Sequence, residues 1–285
     1  MEGSGKLMQM WRAAVAAVVL GVGVAGAWGQ ASEIPSANAG ASVTGTEKGR
    51  KLLDLMVVAL GGDAWMHRNF WTIEGHSATF YKGKPNEGVT AYEEFHRSQP
   101  FAERIEIISK IGIFIATEKR DIVQVWTPEN GYEITYRGKK DLPKEIVADS
   151  KRRREHSLEA VMKVWLKEPG VVVVYEGTSM VEHHLADQVT VLSPNNDAVT
   201  VELDEATHLP LSRRFEFRDD IYKDHDVDLE QYDDYHVMNG LMTALTITRF
   251  RNGDMTSQRF NTKVTYNKEL APALFDPDKA LVKKK

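Results

Sequence analysis

The stretch that decides the fold is Asp226–Pro277, which reads DVDLEQYDDYHVMNGLMTALTITRFRNGDMTSQRFNTKVTYNKELAPALFDP. Its two Asn-Gly pairs, Asn239-Gly240 and Asn252-Gly253, are each flanked by strand-like residues. Asn-Gly suits a two-residue type I′ turn, because both central residues of that turn need a positive φ. The stretch therefore predicts a three-stranded antiparallel meander of long strands.

Alternation of residue types gives this meander one apolar and one polar face. Before the first turn, the apolar residues of one parity are Val227, Leu229, Tyr235 and Val237. After the second turn, the alternate residues assigned to the apolar face are Phe260, Thr262, Val264 and Tyr266. An antiparallel sheet with one apolar face needs a second layer to cover it.

The same period of two continues upstream of the meander. Candidate strands cover residues 71–81, 89–98, 102–109, 113–117, 121–127 and 131–136. A second series covers residues 171–182, 185–192, 198–203 and 209–218. Many strands at short spacing favour one antiparallel meander over a parallel α/β sheet. We predict a mainly β protein with a strongly bent antiparallel sheet of about eleven strands, an unclosed barrel, because so long a sheet has to curl.

Two segments break the period of two and carry apolar residues at helical spacing. The first ends at Gly61-Gly62 and contains Leu52, Leu53, Met56, Val57 and Leu60. The second ends at Pro169-Gly170 and contains Leu158, Val161, Met162, Trp165 and Leu166. Such stripes are typical of amphipathic helices. We predict two or three α-helices that cover the concave face of the sheet.

The N-terminus has the features of a secretory signal peptide. A basic start precedes the short apolar run 13–24, and small residues follow it. We predict a signal peptide over 1–29, a flexible leader over 30–45 and a single domain over 46–285. Export to the periplasm follows from this organisation, and a retained N-terminal anchor is the alternative.

Composition excludes several classes of function. The chain has no cysteine, which excludes disulfides, thiolate nucleophiles and cysteine-ligated metals. Its formal net charge of −5 argues against a nucleic-acid partner, which needs clustered positive charge. Beyond the signal peptide no run of about twenty apolar residues occurs, so we predict no transmembrane helix in the mature chain.

The sequence contains no convincing catalytic motif. Phosphate-binding, zinc-protease and serine-hydrolase signatures do not occur outside a chance glycine pattern in the signal peptide. His183 and His184 are adjacent, so on a strand they would face opposite sides, and we interpret them as a turn. A metal site from His225, Asp226 and Asp228 remains an alternative. We predict no catalytic residues, no metal and no cofactor.

The densest charge cluster is formed by Lys151, Arg152, Arg153 and Arg154. Its simplest interpretation is a solvated loop or a first helical turn. The functional interpretation is docking to anionic head groups or to an acidic partner.

Several short motifs in a fixed order give the chain a family resemblance. They are Leu60-Gly61-Gly62, Ile73-Glu74-Gly75, Met162 with Trp165, Leu203-Asp204 with Thr207 and Leu209-Pro210, Tyr232-Asp233-Asp234-Tyr235 with Gly240, and Asn267 with Leu270 and Phe275. With these motifs the chain resembles the outer-membrane lipoprotein carrier superfamily, the LolA/LolB-like and lipoprotein-sorting proteins. In that comparison the Tyr232–Tyr235 segment corresponds to the penultimate turn.

The resemblance implies a hydrophobic cavity between the sheet and its helices that holds acyl chains in water. Under it, the cavity contacts are Met56, Trp65, Phe70, Trp126, Met162, Trp165 and Phe260. It also implies lipoprotein acyl chains or another lipid as ligand, and inner- or outer-membrane lipoprotein machinery as partners.

Three functions follow from these observations. The first is a non-catalytic periplasmic carrier or binder of a lipid-like ligand. The second is an interaction or sensor module with the same fold, docking through Lys151–Arg154. The third is a metal-dependent hydrolase built on His183, His184 or His225.

Overall fold

The computed structural model describes residues 43–86, 88–111, 117–218 and 225–280. The predicted signal peptide, nearly all of the predicted leader and most of the predicted strand 113–117 lie outside these ranges. The final residues of the predicted leader, from Val43 onward, belong to the first helix.

The helices of the described chain are short except for the first. The α-helices are α1 (Val43–Leu60), α2 (Asp63–Met66), α3 (Lys144–Glu155) and α4 (Leu158–Lys163). Two 3-10 helices cover Trp165–Lys167 and Pro272–Phe275. None of the helices in these parts of the chain is long and apolar enough to span a lipid bilayer.

The described residues form fourteen strands, which belong to one antiparallel sheet. They are β1 (Phe70–Tyr81), β2 (Lys84–Pro85), β3 (Thr90–Arg97), β4 (Ala102–Ile111), β5 (Thr117–Trp126), β6 (Gly131–Thr135), β7 (Gly138–Asp141), β8 (Val172–Val181), β9 (His184–Leu192), β10 (Ala198–Asp204), β11 (Pro210–Arg218), β12 (His225–Met238), β13 (Leu241–Arg251) and β14 (Asp254–Tyr266). Their order is β7-β6-β5-β4-β3-β1-β14-β13-β12-β11-β10-β9-β8, with the short β2 paired to β1.

Two meanders meet in the middle of this sheet, where β1 pairs with β14. The strands β7 and β8 stand at its two ends, and α3 and α4 connect them along the chain. The sheet is therefore bent but not closed, and the predicted fold class is confirmed. Within the described ranges it has fourteen strands rather than about eleven, because short strands such as β2 and β7 add to the longer ones.

The predicted Asn-Gly turns are confirmed. Asn239 and Gly240 have φ of 48° and 81°, and Asn252 and Gly253 have φ of 53° and 84°. Both pairs therefore occupy the left-handed region that a type I′ turn requires. The first helix also ends as predicted, with Gly61 at φ 126° and Gly62 at φ 60°.

The predicted division of the meander into an apolar and a polar face is only half correct. Asp228 and Glu230 are buried on β12, whereas Val227 and Leu229 are only partly covered. The pairing of β12 with β13 keeps one register throughout but leaves Asp234 and Leu245 unpaired, and Asp234 has a φ of 55°. The facing of side chains reverses at this irregularity, since Glu230 and Tyr232 line the cavity before it and Tyr235 lines the cavity after it. The Tyr232–Tyr235 segment is therefore part of a strand and not the turn that the resemblance implied.

The main core lies on the concave face of the sheet, under α1 and α4. Leu53 and Met56 of α1 and Val161 of α4 pack against Val189 and Val201 from the middle of β9 and β10. All five side chains are buried. This part of the fold is close-packed, and it fixes the helices against one half of the sheet.

The C-terminal segment packs in a separate cluster against other strands. Leu270 and Phe275 bury their side chains with Ala102, beside Phe70 and Phe95. Phe70 and Phe95 alternate with Trp71 and with Glu94 and His96, which line the concave side. This cluster therefore covers the outer face of β1, β3 and β4.

Candidate functional site

A cavity of about 760 Å³ lies between the concave face of the sheet and helices α2, α3 and α4. Its apolar lining side chains include Trp71, Ile73, Phe101, Ile105, Trp126, Met242, Ile247 and Val264. The volume is in the range typical of ligand sites in proteins.

The cavity also has a strongly charged lining. Among the described lining residues the basic ones are Arg68, Arg153, Arg154, Lys163, Arg213, Arg249 and Arg259. The acidic ones are Glu94, Glu103, Glu159 and Glu230. Basic side chains are therefore in excess at this site of an acidic protein.

One ion-pair network centres on Glu230 of β12. Its carboxylate accepts a hydrogen bond from Arg249 Nε at 2.6 Å and lies 3.0 Å from Arg213 Nη2. Tyr232 Oη donates to the same carboxylate at 2.8 Å. Burial disfavours the charged form, but Arg249 and Arg213 outweigh it and hold the pKa of Glu230 well below its ordinary value.

A second network ties α3 to the sheet. Asp149 of α3 and Asp228 of β12 both accept from Arg251 Nη2, at 2.8 and 3.1 Å. Arg153 also donates to Asp149. These contacts hold α3 over the cavity.

A third group of polar side chains lies on β3 and β14. Arg259 Nη2 donates to Glu94 Oε2 at 2.7 Å, and Tyr92 Oη donates to Asn261 Oδ1 at 2.5 Å. Burial disfavours the charged form of Glu94, but Arg259 outweighs burial and lowers the pKa of this carboxyl group. Burial raises the pKa of Tyr92 to about 12. Tyr92 is therefore a neutral hydrogen-bond donor at neutral pH.

Glu103 and His96 lie beside Glu94, and among the described residues neither has an arginine as an ion-pair partner. Burial, with Glu94 adding to it, raises the pKa of Glu103 to about 7. Burial lowers the pKa of His96 to about 4. The His96 ring stacks on Trp71 with centroids 3.8 Å apart.

Glu159 of α4 accepts hydrogen bonds from several elements at the rim of the cavity. This carboxylate accepts from Ser98 Oγ at 2.8 Å, from Lys163 Nζ at 2.5 Å and from Arg68 Nη2 at 3.3 Å. Arg68 in turn lies over the Trp65 ring, with 4.2 Å from Cζ to the centroid. The rim therefore links α2, α4 and the end of β3.

The structure separates the residues that the resemblance implied as cavity contacts. Trp65 and Trp126 line the cavity. Met56, Met162 and Trp165 are buried in the main core. Phe70 packs with the C-terminal cluster, and Phe260 is 40% exposed on the other face of β14. Contact of any of the seven with a ligand stays a prediction.

Phe260 changes face because of a β-bulge in β14. The pairing of β1 with β14 matches Glu74 to Lys263 and then Gly75 to Asn261, so Thr262 is skipped. Arg259 and Asn261 therefore point into the cavity together with Val264. A Cβ at Gly75 would lie 2.5 Å from the Phe260 carbonyl oxygen, so only glycine fits this bulge.

The basic cluster is not a free cationic surface. Lys151 Nζ lies 2.8 Å from Glu129 Oε2, and Arg152 lies over Phe217 with 3.9 Å from Cζ to the centroid. Arg153 and Arg154 line the cavity, and Arg154 Cζ lies 3.9 Å from the Phe101 centroid. Docking through this cluster stays a prediction that this geometry does not favour.

The histidines considered from sequence do not converge. His183 lies in the turn between β8 and β9, and His184 Nδ1 lies 3.1 Å from Asp204 Oδ2. Within the described ranges, one group of three potential metal ligands comes together, and it contains Glu94, His96 and Glu103 instead. The sequence analysis missed it, although Glu-x-His on a strand places both side chains on one face. Glu103 joins them through non-local pairing, since it is opposite His96 in β4.

Comparison with known proteins relates this fold to solved structures. A DUF1329 family protein from Desulfovibrio piger matches with a TM-score of 0.52 at 9% identity, over 80% of this chain and 97% of that chain. A putative outer membrane lipoprotein-sorting protein domain from Vibrio parahaemolyticus matches with a TM-score of 0.48 at 9% identity, over 81% and 97% of the two chains. A LolA superfamily protein from Nitrosomonas europaea matches with a TM-score of 0.45 at 8% identity, over 80% and 96%.

No family model matches the chain, and no curated protein matches it in sequence. At these identities the likeness concerns the fold alone. The match to the Desulfovibrio piger protein supports the predicted fold class, and the ligand is a separate question.

Proposed function

We propose that this protein is a non-catalytic binder or carrier of an amphipathic, lipid-like ligand. The observation that carries the proposal is the cavity of about 760 Å³ beneath α2, α3 and α4. A lipoprotein acyl group is one ligand of this chemistry. The predicted signal peptide would place the activity in the periplasm, where such a ligand needs shelter from water.

The apolar part of the lining supports binding of a hydrocarbon chain. Ile73, Ile105, Trp71 and Trp126 share the concave face of neighbouring strands, as their register shows. Burial of each methylene group contributes about 0.8 kcal/mol. Even one acyl chain would therefore gain several kcal/mol from this surface.

The charged part of the lining supports an anionic head group on the same ligand. Arg249 and Arg259 flank Ile247 across the β13–β14 pair, next to the apolar strands. Arginine binds carboxylate and phosphate groups through paired hydrogen bonds. A ligand with a hydrocarbon tail and an acidic head would match both parts.

An interaction module that docks through Lys151–Arg154 is the weaker candidate. Each of these side chains already has a partner within the chain, and two of them face the cavity. Lipoprotein machinery at either membrane remains part of the carrier proposal as a source or acceptor of the ligand.

The test is native mass spectrometry with lipid extraction on full-length protein purified without detergent. Wild-type protein is expected to retain acyl-containing lipid at near one equivalent. Ala244→Trp fills the cavity with an indole and should remove the lipid, because Ala244 lines it. Val237→Trp is the matched control, since Val237 is on the preceding strand and is 64% exposed.

Equal retention of lipid in both variants would place the lipid outside the cavity. Wild-type protein that neither carries lipid nor takes up a fluorescent phospholipid would contradict the proposed function itself.

A further inference from the structure

Three neighbouring side chains on the cavity wall take only a partial role in the ion-pair networks. Glu94, His96 and Glu103 each offer a ligand atom, and these atoms lie within 4.8 Å of one another. In the described part of the chain, neither the His96 imidazole nor the Glu103 carboxylate has a hydrogen bond or an ion pair. All three line the cavity.

Strand pairing fixes this arrangement. Glu94 and His96 are two residues apart on β3, so they share the concave face. His96 is directly opposite Glu103 on β4. Side chains of directly opposed residues start about 5 Å apart at Cβ, which suits a shared ligand.

Outer contacts orient two of the three side chains. The His96 ring is stacked on Trp71 at an interplanar angle of 9° and meets Phe101 edge-on at 5.5 Å. Glu94 accepts from Arg259 Nη2 at 2.7 Å. Metal-ligating carboxylates commonly accept such a second hydrogen bond, which fixes their position.

We propose that Glu94, His96 and Glu103 form a binding site for a divalent transition-metal ion, with Zn²⁺ as its best probe. One imidazole and two carboxylates are ligands that zinc takes at about 2.0 to 2.2 Å. Mg²⁺ and Ca²⁺ prefer oxygen ligands alone, and the imidazole disfavours them. Tetrahedral zinc ligands lie about 3.4 Å apart, so small side-chain rotations would close the site.

The site leaves a coordination position directed to the cavity. Three protein ligands with an open fourth position are typical of zinc sites that also bind a small molecule or water. The arginines around the site, Arg249 and Arg259, favour an anion at that position. The metal would therefore hold an acidic group within the cavity, and its binding does not depend on whether lipid is the ligand.

The test is isothermal titration of the chelator-treated full chain with Zn²⁺ alone. Wild-type protein is expected to bind one equivalent. Glu103→Gln is nearly isosteric and removes one ligand charge, so it should weaken zinc binding at least tenfold, as should His96→Gln. His236→Ala is the matched control, because His236 is an exposed imidazole 2.9 Å from the carboxylate of Asp234.

Wild-type protein without saturable zinc binding would overturn the proposal, and so would binding that is unchanged in both Glu103→Gln and His96→Gln. Circular dichroism of the variants is the check that they are folded. Titration with Co²⁺ adds an independent readout, since visible absorption bands of a nitrogen- and oxygen-ligated ion are expected in the wild type and not in Glu103→Gln. Wild-type protein without these bands would also count against the site.

Discussion

The concave face of this single sheet is built in two different ways. Under α1 and α4, from β8 to β10 and at Phe215 of β11, it is apolar and close-packed. From Arg213 of β11 across β12, β13, β14 and β1 to β5 it surrounds the cavity and is charged. One row of paired residues crosses both parts and contains Tyr175, Val189, Val201, Arg213, Glu230 and Arg249. We call the two parts the packed half and the cavity half.

The difference separates stability from binding. In the packed half, Leu53 and Met56 fill the space over the strands, and burial of apolar surface stabilises the fold. In the cavity half, arginines and carboxylates hold one another against the wall and leave the centre open. Ion pairs can therefore maintain a cavity that apolar side chains would fill.

The strongest test of this comparison is a pair of truncations. Leu53→Ala should lower the free energy of unfolding by about 3 kcal/mol, because it leaves a cavity among buried neighbours. Ile73→Ala should cost about 1 kcal/mol, because Ile73 already borders open space. Urea denaturation of both variants measures the two values. Equal costs would show that the two halves are packed alike.

A smaller effect is expected from the charged network. Glu230→Gln should lower the free energy of unfolding at pH 7 by about 2 kcal/mol, since it leaves the 1% exposed Arg213 with weaker partners. The folded-state pKa of Glu230 is lowered, so its stabilisation is complete above its unfolded pKa of about 4.3. This stabilisation is lost as the pH falls further, through the folded-state pKa of Glu230.

The measurement is thermal or urea unfolding of wild type and Glu230→Gln between pH 7 and pH 3. The gap between the two should be widest at neutral pH and shrink below about pH 4. Glu205→Gln, at an exposed position in the β10–β11 turn, is the control and should show no such gap. A constant gap across the range would mean that the ionised carboxylate is not the stabilising group.

The features that sequence predicts well are local. The Asn-Gly turns need positive φ at two consecutive residues, and the apolar stripe of α1 needs only helical spacing. Both can therefore be predicted from local sequence without knowledge of the fold. The irregularity at Asp234 and the bulge at Thr262 have no such local signal. The bulge at Thr262 reverses the facing of the residues on its two sides, which is why the alternation places Phe260 on the apolar face with Val264 whereas the structure does not.

The candidate site was harder to predict because packed core and cavity wall use the same residue types. Met162 and Trp126 are both large and apolar, yet one is core and the other borders open space. The choice depends on how far α1 and α4 reach over the sheet, which is a tertiary property. Glu94 and Glu103 meet only through strand pairing, and spacing along the chain does not reveal that contact.

The smallest expected effect is the difference in melting temperature between a variant of a charged residue outside the cavity and a variant of one that lines it. Lys151 pairs with Glu129 at 2.8 Å, but its side chain is 39% exposed and that of Glu129 is 70% exposed. Water and salt screen such a pair, so Lys151→Ala should leave the melting temperature unchanged. Arg153→Ala, two residues along the same helix, should lower it, because Arg153 lines the cavity and pairs with Asp149. Differential scanning calorimetry of the two variants makes the comparison. A lower melting temperature for Lys151→Ala alone would reverse the assignment and make the outer surface of α3, rather than the cavity wall, its stabilising side.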